Sequence, residues 1–554
     1  MNVLNPAKVV DQFDKRDASL ILTHVIFAFI ALLLGGICGL LQALVRAFNI
    51  ELPGGISYYQ FLTAHGVLMA LVFTTFFIIG FLYSAVAKTL YGTLLPRART
   101  LGWIGFAHMA FGTLLGTVMI LLDEATVLYT FYAPMQAHPL FYVSLVFLVV
   151  GSWISGFGMF FQYYRWRKEH QGQTSPLFAF MAVVTMLLWQ VATLGVAVTV
   201  LFQFIPWSLG WSERIDIVLS RTLFWYFGHP LVYFWLLPAY MCWYVVIPKI
   251  IGGKVFSDAM ARLSFIMFLM FSIPVGFHHQ LMEPGISSFW KFLQVVLTFM
   301  VVIPSLMTAF SIFATFELAG RAKGAKGVFG WLKKLPWKDT RFFTAFVGML
   351  IFIPGGAGGI INASNQMNAV VHNTLFITGH FHLTVASTVA MTFFAITYWL
   401  VPHLTGRTLT PRMHRLGNIQ AVLWAVGMLF MSGPMHTVGL LGSPRRTAFT
   451  TYGDHPDALG WIPYHVVMSV GGTILFIALL LMICNLFALM RTPKGVTEYP
   501  IAETHEEAAQ VPKILERFGV WVGVLAVLIV IAYAVPITDM IMNTTPGAKG
   551  FVTW

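Results

Sequence analysis

Gly379-His380-Phe381-His382, near the start of a long apolar segment, decides how the rest of the chain is read. Each helical residue turns the chain by about 100°, so two histidines two apart point in nearly opposite directions. Imidazole is costly inside a bilayer, and an intramembrane ionisable residue is a functional-site hypothesis by default. A pair at one depth facing both ways can serve two separate cofactors. That reading needs partners elsewhere in the chain.

The surroundings of the quartet are those of a membrane protein. The 554 residues are 58% hydrophobic and 10% charged, and the mean hydropathy is +0.79. Apolar runs long enough to cross a bilayer recur from end to end, so an all-α integral membrane protein is expected. Long runs rather than short alternating segments exclude a β-barrel. The net charge of +12 is read as basic cytoplasmic loops, not as a nucleic-acid surface. Cys38, Cys242 and Cys484 lie in separate apolar segments, which excludes a cysteine-ligated cluster or a disulfide framework. The polar stretch Asn2 to Asp17 lacks a cleavable signal pattern, so the first helix is expected to be retained.

About thirteen spans are expected: 19–46, 60–86, 102–122, 140–164, 179–205, 219–247, 262–281, 290–317, 342–362, 371–401, 416–441, 462–490 and 518–541. Lys and Arg cluster in alternate loops, among them Arg165, Arg167, Lys168, Lys323, Lys326, Lys333, Lys334, Arg412 and Arg415. The intervening loops carry Asp123, Glu124, Glu213 and Asp216 instead. The positive-inside rule then puts the N-terminus in the cytoplasm and the C-terminus outside. Loops 321–341 and 493–513 are the only substantial linkers. Residues 1–554 are expected to form a single polytopic domain without inverted repeats.

This topology places six histidines from four spans in the outer half of the bilayer: His65, His229, His278, His279, His380 and His382. Any one alone reads as a hydrogen-bonded core residue; scattered packing residues have no reason to agree in depth. Imidazole suits iron, copper and zinc. A haem takes axial ligands on opposite faces, supplied by different helices. His65 with one of the 380/382 pair can sandwich a haem, while the other can hold a second haem from one side. His229, His278 and His279 remain as a three-nitrogen site that fits copper with an open position. The other histidines, His24, His108, His138, His170, His403, His414, His436, His455, His465 and His505, receive no ligand role.

Gly228-His229-Pro230-Leu231-Val232-Tyr233, the pair His278-His279, and Gly379-His380-Phe381-His382 together resemble the signatures of subunit I of the haem–copper oxygen reductases. The resemblance spans nearly the whole chain. It implies that His380 ligates the high-spin haem (a- or o-type), that His65 and His382 ligate the low-spin haem (b-type), and that His229, His278 and His279 hold one copper ion. It implies a terminal respiratory oxidase that reduces dioxygen to water and translocates protons. Cytochrome c is the expected electron donor, through a subunit II bearing a dinuclear copper site, in the plasma membrane of a prokaryote. A quinol-oxidising enzyme is the alternative. Nitric oxide reduction is disfavoured by Tyr233, which the resemblance implies is joined covalently to a copper-ligating histidine. A transporter or channel would explain buried polar groups but not six histidines at one depth.

Leu231 stands where many A-type oxidases of that family carry a proton-relaying Glu, and with the thirteenth span this resembles the B-type branch. A single proton path is then expected along Tyr240, Tyr244, Ser305, Thr308 and Ser311, with Thr315 at its margin; without the resemblance these hydroxyls would read as glue between helices. Arg445 and Arg446 are implied as partners of the haem propionates, joined by His372 and Asn373. Arg221 and Glu283 are an expected ion pair. At Asn368 the resemblance leads one to expect an acid, and the amide cannot ionise.

Overall fold

The computed structural model describes residues 13–447, 451–495, 499, 501–505, 510–543 and 547–552. Parts of the expected 493–513 linker lie outside the described residues.

Twelve helices among the described residues are long and apolar enough to cross a membrane. Their starts are written in the sequence. Ser57 and Gln60 form a reciprocal cap on the helix Tyr58–Gly66, with Gln60 N–H donating to Ser57 Oγ at 3.1 Å. Asp216 caps Ile217–Met241 by accepting from Leu219 N–H at 2.9 Å. Thr374 caps Leu375–Leu383 by accepting from Phe376 N–H at 3.3 Å. Those three helices carry His65, His229 and the His380/His382 pair.

The expected span 262–281 is the exception. Its helix, Asp258–Phe271, has 14 residues, about 21 Å at 1.5 Å per residue, short of a bilayer core of about 30 Å. Pro274 explains the stop, since proline lacks an N–H and disfavours helical backbone in the residue before it. The chain continues as the 3₁₀ turn Gly276–Gln280, which bears His278 and His279. Irregular backbone at membrane depth must have its polar groups satisfied by protein. Here Gly276 N–H donates to Tyr533 Oη at 2.9 Å, and Phe277 N–H to Gln294 Oε1 at 2.8 Å. Tyr533 Oη in turn donates to the Ile273 carbonyl at 3.1 Å.

Apolar area cannot drive helices together in lipid, so close approach of small residues does. Pro96–Leu121 packs on Pro139–Glu169 with Gly105 against Gly151 and Ser155; a Cβ at Gly105 would lie 2.5 Å from the Gly151 carbonyl oxygen. Gly105→Val would force these helices apart. The fully buried charges Asp17 and Arg262 are paired, since an unpaired buried charge is costly. Arg99 meets Asp17 at 2.6 Å. Glu516, just before the final helix Phe518–Met542, is gripped by Arg167 at 2.6 Å and by the buried Arg262. At the other end of that helix the chain returns as Ala548–Lys549, antiparallel to Arg214–Ile215. Phe551 N–H then reaches the Pro134 carbonyl at 2.7 Å.

Candidate metal and haem centre

Three of the six histidines converge. One ring nitrogen from each of His229, His278 and His279 lies within 4.8 Å of the others. His229 Nδ1 and His279 Nε2 are 3.0 Å apart. Thr298 has spent its hydroxyl proton on the Gln294 carbonyl, at 2.6 Å. Its oxygen therefore accepts from His278 Nδ1–H at 3.0 Å, leaving the Nε2 lone pair of His278 free. Trp225, four residues before His229, stacks on His279 with ring centroids 3.8 Å apart and an interplanar angle of 7°. A cluster of neutral imidazoles without a carboxylate or thiolate fits copper. Tyr233 lies beside it, its ring 5.1 Å from that of His229. His229 Nε2 is buried without a hydrogen-bond partner.

The other three histidines share one device. His65 Nδ1–H donates to the Gly35 carbonyl at 2.8 Å, His380 to Gly355 at 2.9 Å, and His382 to Thr378 at 2.8 Å. Each bond fixes the tautomer and leaves Nε2 as a ligand atom, the arrangement that metal-binding histidines use. Gly35 and Gly355 belong to the neighbouring helices Lys15–Phe48 and Thr340–Ala363. Wide π-helical turns follow directly, Val67–Phe73 after His65 and Thr384–Val389 after His382; such turns are frequent at functional sites. The helix Lys15–Phe48 lies so close to His65 that a Cβ at Gly39 would come within 2.7 Å of the ring. Gly379 is required for a similar reason, because His436 fills the space its Cβ would take. Ser432, one turn before His436, donates to the Gly379 carbonyl at 2.8 Å.

A cavity of about 460 Å³ joins these parts. Its wall includes His229, His278, His279 and His380, and also Gly356 and Gly359, the latter against the His380 ring. The residues here would suit a haem held by His380 beside the three-histidine cluster. His65 lies near enough to His382 to act on it electrostatically, and these two would suit a second haem.

One end of the cavity meets a basic cap. Arg445 Nη2 donates to Asn373 Oδ1 at 2.9 Å, and its backbone N–H to the Asn373 carbonyl at 3.0 Å. Arg446 and Arg221 both lie over the Tyr132 ring, at 4.9 and 4.7 Å, and Arg221 pairs with Glu283 at 3.0 Å. Arg445 Nε and Arg446 Nη2 are buried without partners, which suits them to carboxylates such as propionates. Burial, and then Arg446, pulls the Arg445 guanidinium down to about 10, so it remains a cation at neutral pH. Burial and the charge of Arg445 hold His372 down to about 4, hence neutral. His372 Nδ1–H donates to Asn368 Oδ1 at 3.1 Å, and Asn368 Nδ2–H to the Asn362 carbonyl at 2.7 Å. Asn368 is thus a fixed amide link.

Away from the cap the cavity wall continues as Tyr233, Tyr240, Ser305 and Thr308. Ser305 stands beside the Tyr240 hydroxyl. Tyr244 Oη donates to Thr308 Oγ1 at 3.2 Å, with Ser264 near the same hydroxyl, while Ser311 Oγ is buried without a hydrogen-bond partner. Thr315 is engaged differently, accepting from Phe256 N–H at 3.1 Å.

Sequence reasoning missed Trp225, Thr298, Gln294, Tyr533 and Tyr132. Trp225 had a readable signal, being four residues before His229 and so on its helix face. The others are distant in sequence and carry no local mark.

Residues 19–474 match the family model described as cytochrome c and quinol oxidase polypeptide I. The chain is 40% identical to a cytochrome c oxidase subunit 1 of Thermus thermophilus over 558 residues, covering 98% of each. It is 25% identical to that of a Bacillus species over 85% of this chain and 76% of the relative. A solved cryo-EM structure, a heme–copper terminal oxidase dimer, superposes with a TM-score of 0.91 at 36% identity, covering 97% of this chain and 95% of that one.

Proposed function

The chain belongs to the cytochrome c and quinol oxidase polypeptide I family, subunit I of the haem–copper terminal oxidases, and on that premise we propose how its residues divide the work. It is a multi-span membrane protein whose substrate is dioxygen and which works with other subunits. His65 and His382 hold a low-spin haem of b-type, His380 a high-spin haem of a- or o-type, and His229, His278 and His279 one copper ion. Bound there, these groups supply electron transfer and the reduction of dioxygen to water.

The remaining residues position those groups and handle protons. Trp225 and Thr298 hold the imidazoles of His279 and His278 in place. Arg445 and Arg446 neutralise propionates, with His372 and Asn373 fixing the loop that presents them. Tyr233 holds a proton at Oη beside the copper set. Tyr244 Oη and Thr308 Oγ1, with Tyr240, Ser305 and Ser311, pass protons toward it, since transfer needs hydrogen-bond reach directly or through water. Leu231 cannot relay a proton, which supports the B-type branch with one such path. The Arg445 end then faces outward, the N-terminus is cytoplasmic and the C-terminus outside. Chain 1–554 is read as a single membrane domain in the plasma membrane of a prokaryote.

The observation that carries this reading is one cavity containing His380, the three-histidine cluster and the Tyr240–Thr308 wall. The Thermus and Bacillus relatives, named cytochrome c oxidases, favour cytochrome c as donor, delivered through a subunit II with a dinuclear copper site. Oxygen uptake by the purified complex tests this. Reduced cytochrome c should sustain it and quinol should not; uptake with quinol alone would replace the donor, and none with either would reject the oxidase reading.

A further inference from the structure

A second concavity, of about 800 Å³, lies apart from the catalytic cavity, between the 336–339 turn and the first turns of the helix Pro411–Leu440. Its head is basic. Lys338 and Arg415 are exposed, and neither has a carboxylate partner among the described residues. Its one acid, Asp339, is engaged with Arg341, whose Nε donates to Oδ1 at 2.9 Å and whose Nη2 donates to Oδ2 at 2.5 Å. The concavity therefore offers uncompensated positive charge.

Its floor is apolar. Ile419, Val422 and Leu423 line it, and exposed Val426 extends the same stripe one turn further, the i, i+3, i+4, i+7 spacing of one helix face. The walls are tied together. Asn418 Nδ2–H donates to the Trp337 carbonyl at 2.9 Å, and Thr340 N–H to His414 Nδ1 at 3.2 Å. His414 Nδ1 also lies 3.5 Å from Asp339 Oδ1. Asn418 Oδ1 is a buried acceptor without a partner, suited to a headgroup hydroxyl or ammonium.

We propose that this crevice binds an anionic phospholipid, its phosphate on Lys338 and Arg415 and one acyl chain along Ile419, Val422 and Leu423. Charge complementarity selects the anion, and a stripe running down a membrane helix beneath it selects an acyl chain. General attraction of basic loops to a charged membrane needs no crevice; this geometry adds a shaped seat.

The test uses the delipidated, purified complex titrated with phosphatidylglycerol, phosphatidylcholine or glycerol phosphate, with bound lipid read by native mass spectrometry. Wild type should retain phosphatidylglycerol over phosphatidylcholine. The Lys338→Ala/Arg415→Ala double variant should bind it about twenty-five-fold more weakly, two cations at about fivefold each. Ile419→Glu, which keeps both cations but charges the floor, should also lose it. Unchanged haem spectra show that a variant has folded, and the wild-type lipid comparison stands where one does not. Equal binding of the two lipids, equal binding by the variants, glycerol phosphate binding as tightly as the lipid, or a partner subunit's helix cross-linked into the crevice would each overturn the proposal.

Discussion

The His65/His380/His382 set and the His229/His278/His279 set are built from the same side chain but held in different ways. The first three sit on helical backbone, and each ties Nδ1–H to a main-chain carbonyl. For His65 and His380 that carbonyl lies on a neighbouring helix, so their aim is set by how helices pack, whereas His382 is tied within its own helix. In the second set, His278 and His279 sit on a turn where the helix has ended, and their neighbours are side chains: Thr298, Trp225, Gln294 and Tyr533. The first set is largely a property of the bundle; the second is a property of a few long-range contacts. A broken helix puts adjacent histidines into one cluster, which successive residues of a regular helix, about 100° apart, do less readily.

The widest gap between the sets should appear on removing a ligand. His382→Leu should abolish the low-spin haem signal and leave copper, whereas His229→Leu should remove copper and leave the low-spin spectrum; both should end oxygen reduction. Metal analysis alongside optical spectra checks this, and loss of the same single cofactor in both would erase the distinction. A smaller effect should follow from Gln294→Leu. It strands the Phe277 N–H in the bundle, at about 1–3 kcal/mol, and loosens the turn behind His278. Copper affinity should fall about 10–100-fold, the usual consequence of losing a supporting contact, with both haems unchanged in visible spectra. Loss of haem to the same degree would mean that the two sets share their supports.

Thr308→Val removes the acceptor of Tyr244 without touching any ligand. Turnover should drop about tenfold, less than the roughly 10²–10⁴-fold of a directly acting acid or base because water can bridge the gap, while spectra and metal content stay normal. Unchanged turnover would return this hydroxyl to helix packing. The smallest change belongs to the main-chain set. Gly39→Ala places a methyl against His65, so the low-spin band should shift in position while copper content and assembly hold. A variant that loses copper but keeps the low-spin band would invert the comparison.

Much of this was legible because the decisive signals are local. The six histidines and the Gly-His-Phe-His spacing stand in the sequence itself, and apolar runs and loop charges place them at one depth. The arginine pair and the Arg221–Glu283 contact were legible as charges at a common end. The break after Phe271 was not, although Pro274 announces it, because an apolar run through 262–281 conceals it. The π-helical turns leave no mark in the hydrophobic pattern. Gln294 and Tyr533 could not be found from sequence, since what makes them important is a pair of N–H groups on another element. His436 reads as bland, yet its ring is the reason for Gly379.

The central claim is that Gly379 to His382 serves two haems, one of them beside a copper. Pyridine haemochrome analysis with iron and copper counting on the purified wild-type complex addresses it most directly, provided that copper carried by a partner subunit is counted separately. This chain should account for two haem irons and one copper, with one haem low-spin and the other reactive toward carbon monoxide. A single haem, or two haems without copper in this chain, would contradict it.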